Sequence, residues 1–389
     1  MNKLDTYGFL SVQLHEHFSN LCEVIPDAQD IARLGKELQI GDVSWRFLDR
    51  SLTKTEDGLP VYIGWNIAEL FREGTYGKIY RSSRMIVSKQ PSGTFSVLEE
   101  AMEVIVKQTM ADNVVMSASD ILAHTSEGLL HILAWNVMQK TATPWSIPQP
   151  YEVFGEYDEQ KKGWLSMYLS MSYVRGRTLY TIFYKQWKKD TPVENGKMLL
   201  EILAQAAYIL YHLQKVLRLN HRDTKVNNIL IRPRSEPFPM ELSGHVCMSS
   251  YEVVLIDFGF ACVGCPPPRE PITVFQAGSW FNLGEMCCKA GRDLAQLLFC
   301  IHCYFPLDTY LTPELYKEIR SWMQIPWNGG IADGLRGFTK EGKPRRVSAF
   351  SVPEYHTGIY EFLRRPEVDP LTCEPLTVFS KCCKLMQQG

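Results

Sequence analysis

The sequence contains no apolar run near the roughly 20 residues a membrane-crossing helix needs. Its opening residues, MNKLDTYGFL, also lack the positive-then-apolar layout of a secretory leader. These absences lead us to expect a cytoplasmic or nuclear protein with no membrane partner. Charge of one sign is equally scarce: 41 basic side chains meet 43 acidic ones, for a formal −2. That balance lacks the electrostatic footprint of a nucleic-acid binder, so none is expected as a partner. The eleven cysteines are an odd set without a leader, so reduced thiols are expected in place of a disulfide framework. Cys262-x-x-Cys265 and Cys300-x-x-Cys303 have zinc-like spacing. The second pair, however, lies in the apolar run Asp293 to Cys303, which reads as a buried helix where cysteine serves as a small apolar residue. What the chain does have is an apolar share of 45% over 389 residues, enough for more than one small core.

Chemistry-bearing residues concentrate between Leu219 and Leu230. His221-Arg222-Asp223-Thr224-Lys225-Val226-Asn227-Asn228 places a carboxylate, two cations and two carboxamides in eight residues between two apolar runs. Further on, Val253-Val254-Leu255-Ile256 delivers Asp257-Phe258-Gly259. The first stretch resembles the catalytic loop of protein kinases, H-R-D-x-K-x-x-N, and the second their D-F-G. Phosphoryl transfer asks a protein mainly for positioning and for stabilisation of charge, which accounts for this mixture of groups. The resemblance implies that Asp223 accepts the proton of the attacking hydroxyl and that Lys225 stands near the transferred phosphoryl. Asn228 and Asp257 would hold Mg2+, a hard cation that takes a few protein oxygens beside phosphate and water. The apolar residues after Asn228, Leu230 among them, would help to seat the nucleotide.

Other stretches follow in the order this resemblance requires. Gly74-Thr75-Tyr76-Gly77-Lys78-Ile79 is similar to the glycine-rich loop that covers ATP phosphates, with Arg72 where the first glycine usually stands. The run Glu103 to Gln108 reads as a strand carrying Lys107, the expected phosphate-binding lysine, and the alternative is Lys89 before the turn Gln90-Pro91-Ser92-Gly93. Ile105 occupies the place of a customary small residue. A helix is expected from Ser117 to Gln139, opened by Ser117-x-x-Asp120 as a capping box. It places Glu127 twenty positions after Lys107 (127 − 107 = 20), suited to an ion pair with it. Trp164 to Val174 reads as a strand leading to a hinge, with Met171 beside the nucleotide pocket and Tyr173 and Val174 among its backbone partners.

Lys197 to Leu219 has the spacing of a long buried helix. Gly291-Arg292-Asp293 is a candidate for a helix-start aspartate bracing the catalytic loop. From Asn228 to Asp257 the chain runs 29 positions (257 − 228 = 29), longer than the usual hairpin, so residues near 231–250 read as a surface insertion. No A-P-E closes the segment after Gly259. Upstream, Ala28, Ile31, Leu34 and Leu38 recur at a helical period that Gly41-Asp42 ends. Residues 1–60 are therefore expected to form an N-terminal helical extension, either packed on the small lobe or serving as a partner-binding arm.

The resemblance implies an α+β, two-lobe protein-kinase-like fold. Residues 61–174 would form a small β-rich lobe and residues 175–389 a large helical lobe. The implied activity is transfer of the γ-phosphoryl of Mg-ATP to a Ser/Thr hydroxyl of a protein substrate. A pseudokinase acting as a binding module and a small-molecule phosphotransferase remain as alternatives, and the divergence also resembles kinase-like proteins of large DNA viruses.

Overall fold

The computed structural model describes residues 31–51, 53–74, 77–110, 115–264, 273–276, 287–323, 362–365, 368 and 370–388. It is a mixed α/β structure with two compact units. One comprises Met1–Ile132, Pro148–Val174 and Ala277–Ser279; the other comprises Leu133–Ile147, Arg175–Gln276 and Trp280–Gly389.

The first unit is built on one large sheet. Its strands are β1 (Ala32–Ile40), β2 (Val43–Leu48), β3 (Thr53–Lys54), β4 (Pro60–Gly74), β5 (Gly77–Lys89), β6 (Phe95–Met110), β7 (Pro150–Asp158) and β8 (Gly163–Ser172). Their order is β2-β1-β7-β8-β6-β5-β4-β3, and β2 also pairs with β4. That extra pairing, Arg46 with Trp65 and Phe47 with Gly64, closes seven strands into a ring. Gly64 permits the closure, since a Cβ there would stand 2.5 Å from the Phe47 ring. Inside, Trp65 stacks on Phe154 at 4.1 Å and Phe154 on Tyr168 at 5.1 Å, beside the buried Ile63, Val104 and Val106. Each such side chain contributes about 1.5–3 kcal/mol through burial. A buried ion pair, Arg84 Nε donating to Glu152 Oε1 at 2.9 Å, lies within this unit.

The helical expectation for residues 28–38 is therefore corrected for the part described: residues 32–40 form β1, which turns through Gly41-Asp42 into β2 with Ile40 opposite Val43. Ala32 and Leu34, both buried, alternate as strand residues do, while Leu38 faces solvent. Gly41-Asp42 does end the element, but as a hairpin turn with Gly41 at φ 61°, a geometry that favours glycine. Residues 1–30 lie outside the described residues.

Helix α1 (Ala118–Met138) matches the expected span, and its capping box is made. Ser117 N donates to Asp120 Oδ2 and Asp120 N donates to Ser117 Oγ, each at 3.2 Å, so the pair satisfies two backbone donors that the helix itself cannot.

In the second unit, β9 (Arg177–Thr178) and α2 (Leu179–Gln186) lead to α3 (Pro192–Leu217). Helix α3 starts five residues before the expected Lys197 (197 − 192 = 5). Pro192 at its first turn has no N–H to leave unbonded, so proline opens the helix rather than forbidding it. After β10 (Leu219–Asn220), the strands β11 (Ile229–Leu242) and β12 (His245–Leu255) form a long hairpin. The segment 231–250 is thus strand where a surface insertion was expected, and Phe238, Met240 and Leu242 are buried. The proline-containing stretch 234–237 is absorbed as a bulge between the pairs Pro233–Tyr251 and Phe238–Ser249. β13 (Cys262–Gly264) and β14 (Thr273–Gln276) extend a small sheet with β10, and the helices α4 (Arg292–Tyr304), α5 (Leu307–Tyr310), α6 (Pro313–Trp322) and α7 (Pro375–Gln388) complete the unit.

The cysteines also depart from expectation: Cys247 is joined to Cys383 and Cys262 to Cys287. Each partner is remote in sequence, 136 and 25 positions away, so spacing along the chain did not mark it. Cys300 and Cys303 are buried in α4 as expected. Cys265 and the prolines 266–268 lie outside the described residues. Among the described residues no group of three or more His, Cys, Asp or Glu is arranged to hold a metal ion, and no helix there is long and apolar enough to cross a membrane.

Candidate functional site

The residues singled out by sequence fall into two clusters, one in each unit. In the first unit, antiparallel pairing sets the positions. Gly74 stands opposite Gly77, Arg72 opposite Ile79, and Ile79 opposite Lys107. Gly77 has φ 148°, and a Cβ there would meet the Gln108 carbonyl oxygen at 2.0 Å, so only glycine fits this turn against β6. Thr75 and Tyr76, between them in sequence, lie outside the described residues. On the other edge of β6, Lys107 pairs with Leu169 and Ile105 with Met171. Met171 is buried, while Tyr173 and Val174, just past β8, are half-buried. Tyr173 carries the Arg81 guanidinium over its ring at 5.3 Å.

Helix α1 brings Glu127 to Lys107, with Nζ 2.7 Å from Oε1. The carboxylate is buried and the ammonium is partly exposed. Lys89, the alternative lysine, is exposed at the end of β5 opposite Phe95. One neighbour was missed from sequence. His124, three residues before Glu127 on α1, bonds to Thr109 Oγ1 at 3.1 Å. Burial, and then the Lys107 charge, depress its pKa to about 3. Its i, i+3 relation to Glu127 was the available signal.

The second cluster is organised by Asp293, in the first turn of α4 and fully buried. Its Oδ2 accepts from the backbone N of His221 at 2.9 Å and from Asn220 Nδ2 at 3.1 Å, and its Oδ1 accepts from the backbone N of Arg222 at 2.9 Å. The Asp293 carbonyl takes the Thr224 hydroxyl at 2.6 Å. The loop is thereby held with Arg222 at φ 64°, a conformation that costs a non-glycine residue about 1 kcal/mol or more and persists only when neighbours enforce it. Asn220 and Thr224 were not singled out from sequence, and only their adjacency to the motif could have marked them.

Within that loop, Asp223 Oδ2 accepts from Lys225 Nζ at 2.8 Å and from Asn228 Nδ2 at 2.7 Å. Burial raises the Asp223 pKa to about 6; Lys225 opposes the rise and Asp257 adds to it. For Lys225 burial works downward, but the Asp223 charge and hydrogen bond leave its pKa raised. Asn228 directs its amide nitrogen at Asp223, which leaves the amide oxygen as an acceptor.

Although 29 positions separate Asn228 from Asp257 in the chain, the β11–β12 hairpin cancels the distance. Ile229 pairs with Leu255, and Ile256 N donates to the Asn228 carbonyl at 3.0 Å. Asp257 follows with φ 69°. Behind it, Phe258 is buried edge-on to the His221 ring at 4.9 Å, and the His221 Nε2 lies 3.1 Å from the Ile256 carbonyl. Leu230 is half-buried in β11, paired with Val254 and Thr178.

No protein-family profile matches the chain, and no curated protein matches it. Among solved structures, the crystal structure of the BubR1 kinase domain matches with a TM-score of 0.36 and 13% sequence identity, covering 96% of this chain and 97% of that one.

Proposed function

We propose that the protein is an ATP-dependent protein kinase that phosphorylates serine or threonine. The observation that carries this reading is the buried Asp223 carboxylate, bonded to both Lys225 and Asn228 in a loop braced by Asp293. A carboxyl with a pKa of about 6 is matched to taking a proton from a hydroxyl near neutral pH. Lys225, two residues on, offsets negative charge beside the transferred group. Its short reach to Asp223 suits an aliphatic hydroxyl better than a longer phenol.

The oxygen donors present fit Mg2+: the free amide oxygen of Asn228 and the Asp257 carboxylate, a hard set too small to hold the ion without phosphate oxygens. When bound, Mg-ATP supplies the phosphoryl group and the metal's neutralising charge. In this reading Lys107, fixed by Glu127, would meet the phosphates, and Gly74, Gly77 and Ile79 would cover the nucleotide. Met171, Tyr173 and Val174 would seat its base, and the resemblance makes Leu230 a further candidate for base contact.

The full chain, incubated with Mg2+, γ-labelled ATP, a degenerate peptide library and a panel of small hydroxylated metabolites, should yield phosphoserine and phosphothreonine. Lys107→Ala and Asp257→Asn should each lower turnover by about a hundredfold or more, the loss typical of a transition-state contact. Lys225→Ala should lower turnover more than nucleotide binding. Label confined to metabolites would replace the reading with a small-molecule phosphotransferase. Nucleotide binding without any transfer would replace it with a binding module.

A further inference from the structure

The second unit also holds a half-open groove of about 830 Å³ that shares no residue with either cluster. Its walls are the start of α3, strand β12, the start of α6 and the end of α7. These walls are tied together. Cys247 on β12 and Cys383 on α7 both line the groove and are joined by a disulfide. Gly196 of α3 lies so near α6 that a Cβ would stand 2.6 Å from Leu315 Cδ2. A cavity held in this way is pre-formed, which lowers the cost of ordering on binding.

The lining exposes apolar side chains among its polar ones. Val193 on α3 and Val246 and Met248 on β12 are 52%, 46% and 51% exposed. Val246 and Met248 are two apart on a strand, so they share a face about 7 Å apart. That spacing suits alternate side chains of an extended segment, and thioether flexibility lets Met248 adapt to them. Charge sets the sign of the partner. Glu201 on α3 and Glu314 on α6 line the groove against a single cation, Lys197. Glu201 is half-buried, one of its oxygens accepts Ser250 N at 2.6 Å, and burial raises its pKa. A cation brought beside it would offset that lost hydration.

We propose that this groove docks an extended segment of a partner protein that offers two alternating apolar side chains next to arginine or lysine. Apolar side chains open to solvent on both α3 and β12 favour a chain lying across them over a small molecule enclosed in the groove. The test uses the full chain and fluorescence anisotropy with three fluorescein-labelled peptides. Each carries the same Leu-x-Leu anchor, flanked by Arg-Arg, Ser-Ser or Glu-Glu.

The arginine peptide should bind about tenfold more tightly than the serine peptide, a difference of about 1.4 kcal/mol, and the glutamate peptide should bind most weakly. Met248→Asp and, on α3, Val193→Asp should each weaken the arginine peptide about tenfold, with circular dichroism unchanged. Glu201→Gln with Glu314→Gln should erase most of the arginine preference. Absence of saturable binding by all three peptides, a glutamate peptide that binds as well as the arginine one, or indifference to both aspartate variants would overturn the proposal. Saturable binding of dodecylamine but of no peptide would assign the groove to a small amphiphile instead. A dimer by light scattering that is lost in Met248→Asp would assign it to a second copy of the chain. Phosphoryl transfer to a library peptide lacking the anchor should be unchanged in Met248→Asp, which separates failure of this docking reading from failure of the kinase reading.

Discussion

Replacing Asp293 with alanine should loosen the loop 220–224 without unfolding the rest of the protein. The carboxylate is the acceptor for two buried backbone N–H groups, those of His221 and Arg222, both at 2.9 Å, and for the Asn220 amide at 3.1 Å. A buried donor left without its acceptor costs about 1–3 kcal/mol, so losing the two backbone bonds removes about 4 kcal/mol of local stability. Arg222 also loses a restraint on its left-handed backbone, which adds in the same direction. At about 1.4 kcal/mol per decade, the open fraction of this loop should rise by roughly a thousandfold. Hydrogen exchange followed by mass spectrometry on peptides covering 219–226 reads that fraction directly, and peptides from β8 in the other unit serve as the control. Asp293→Asn keeps one oxygen and turns an amide group towards a donor, so about half the effect is expected. Exchange within about threefold of wild type in Asp293→Ala, under a kcal/mol in opening free energy, would show that the bonds counted above do not hold the loop.

Three further outcomes follow from the geometry. The Asp223 carboxyl has its pKa raised by burial from 3.8 to about 6, so the fold favours its protonated form. Its stabilising contribution is complete below the unfolded value and is lost as pH rises through about 6. Under the proposed function Asp223 acts in its ionised form, so kcat/KM should fall on acidification with a midpoint near 6, and a midpoint near 4 in a pH series would refute the assignment. In the first unit, burial raises the Glu152 pKa, opposed by Arg84. Glu152→Ala leaves a buried guanidinium without that carboxylate and should cost about 3–5 kcal/mol, whereas Arg84→Met with Glu152→Leu should recover most of it. Urea unfolding followed by tryptophan fluorescence measures both variants, and equal losses would contradict the argument. Finally, Arg222 is fully buried and bonded through its backbone to Asp293, a poor receptor for a phosphate on the segment that lacks A-P-E. Under the proposed function, phosphatase-treated protein should keep its phosphoryl-transfer activity, and a large loss would show that the activity depends on phosphorylation.

The sequence by itself determined those features whose partners are near neighbours in the chain. Ser117 and Asp120 cap α1 because they are three residues apart, and Gln90 to Gly93 turns β5 into β6 through its own backbone bond, Gly93 N to Gln90 O at 2.8 Å. His221 to Asn228 was legible as one constellation for the same reason, since a turn of eight residues leaves its polar groups little freedom to part. The tertiary structure decided whatever depends on a distant partner. The period at Ile31, Leu34 and Leu38 was compatible with a helix, and residues 32–40 became strand because β1 and β2 find β7 and β4 to pair with and complete the ring. Neither Cys247 nor Cys262 names its partner by spacing, and each is chosen by the packing of elements that only the folded chain assembles. The 29 residues between Asn228 and Asp257 read as a surface insertion, yet β11–β12 register makes Asn228 and Ile256 neighbours. Strand pairing and sulfur bridging are non-local contacts whose energy is realised only after long loops close, and the local sequence carries no record of which closure prevails.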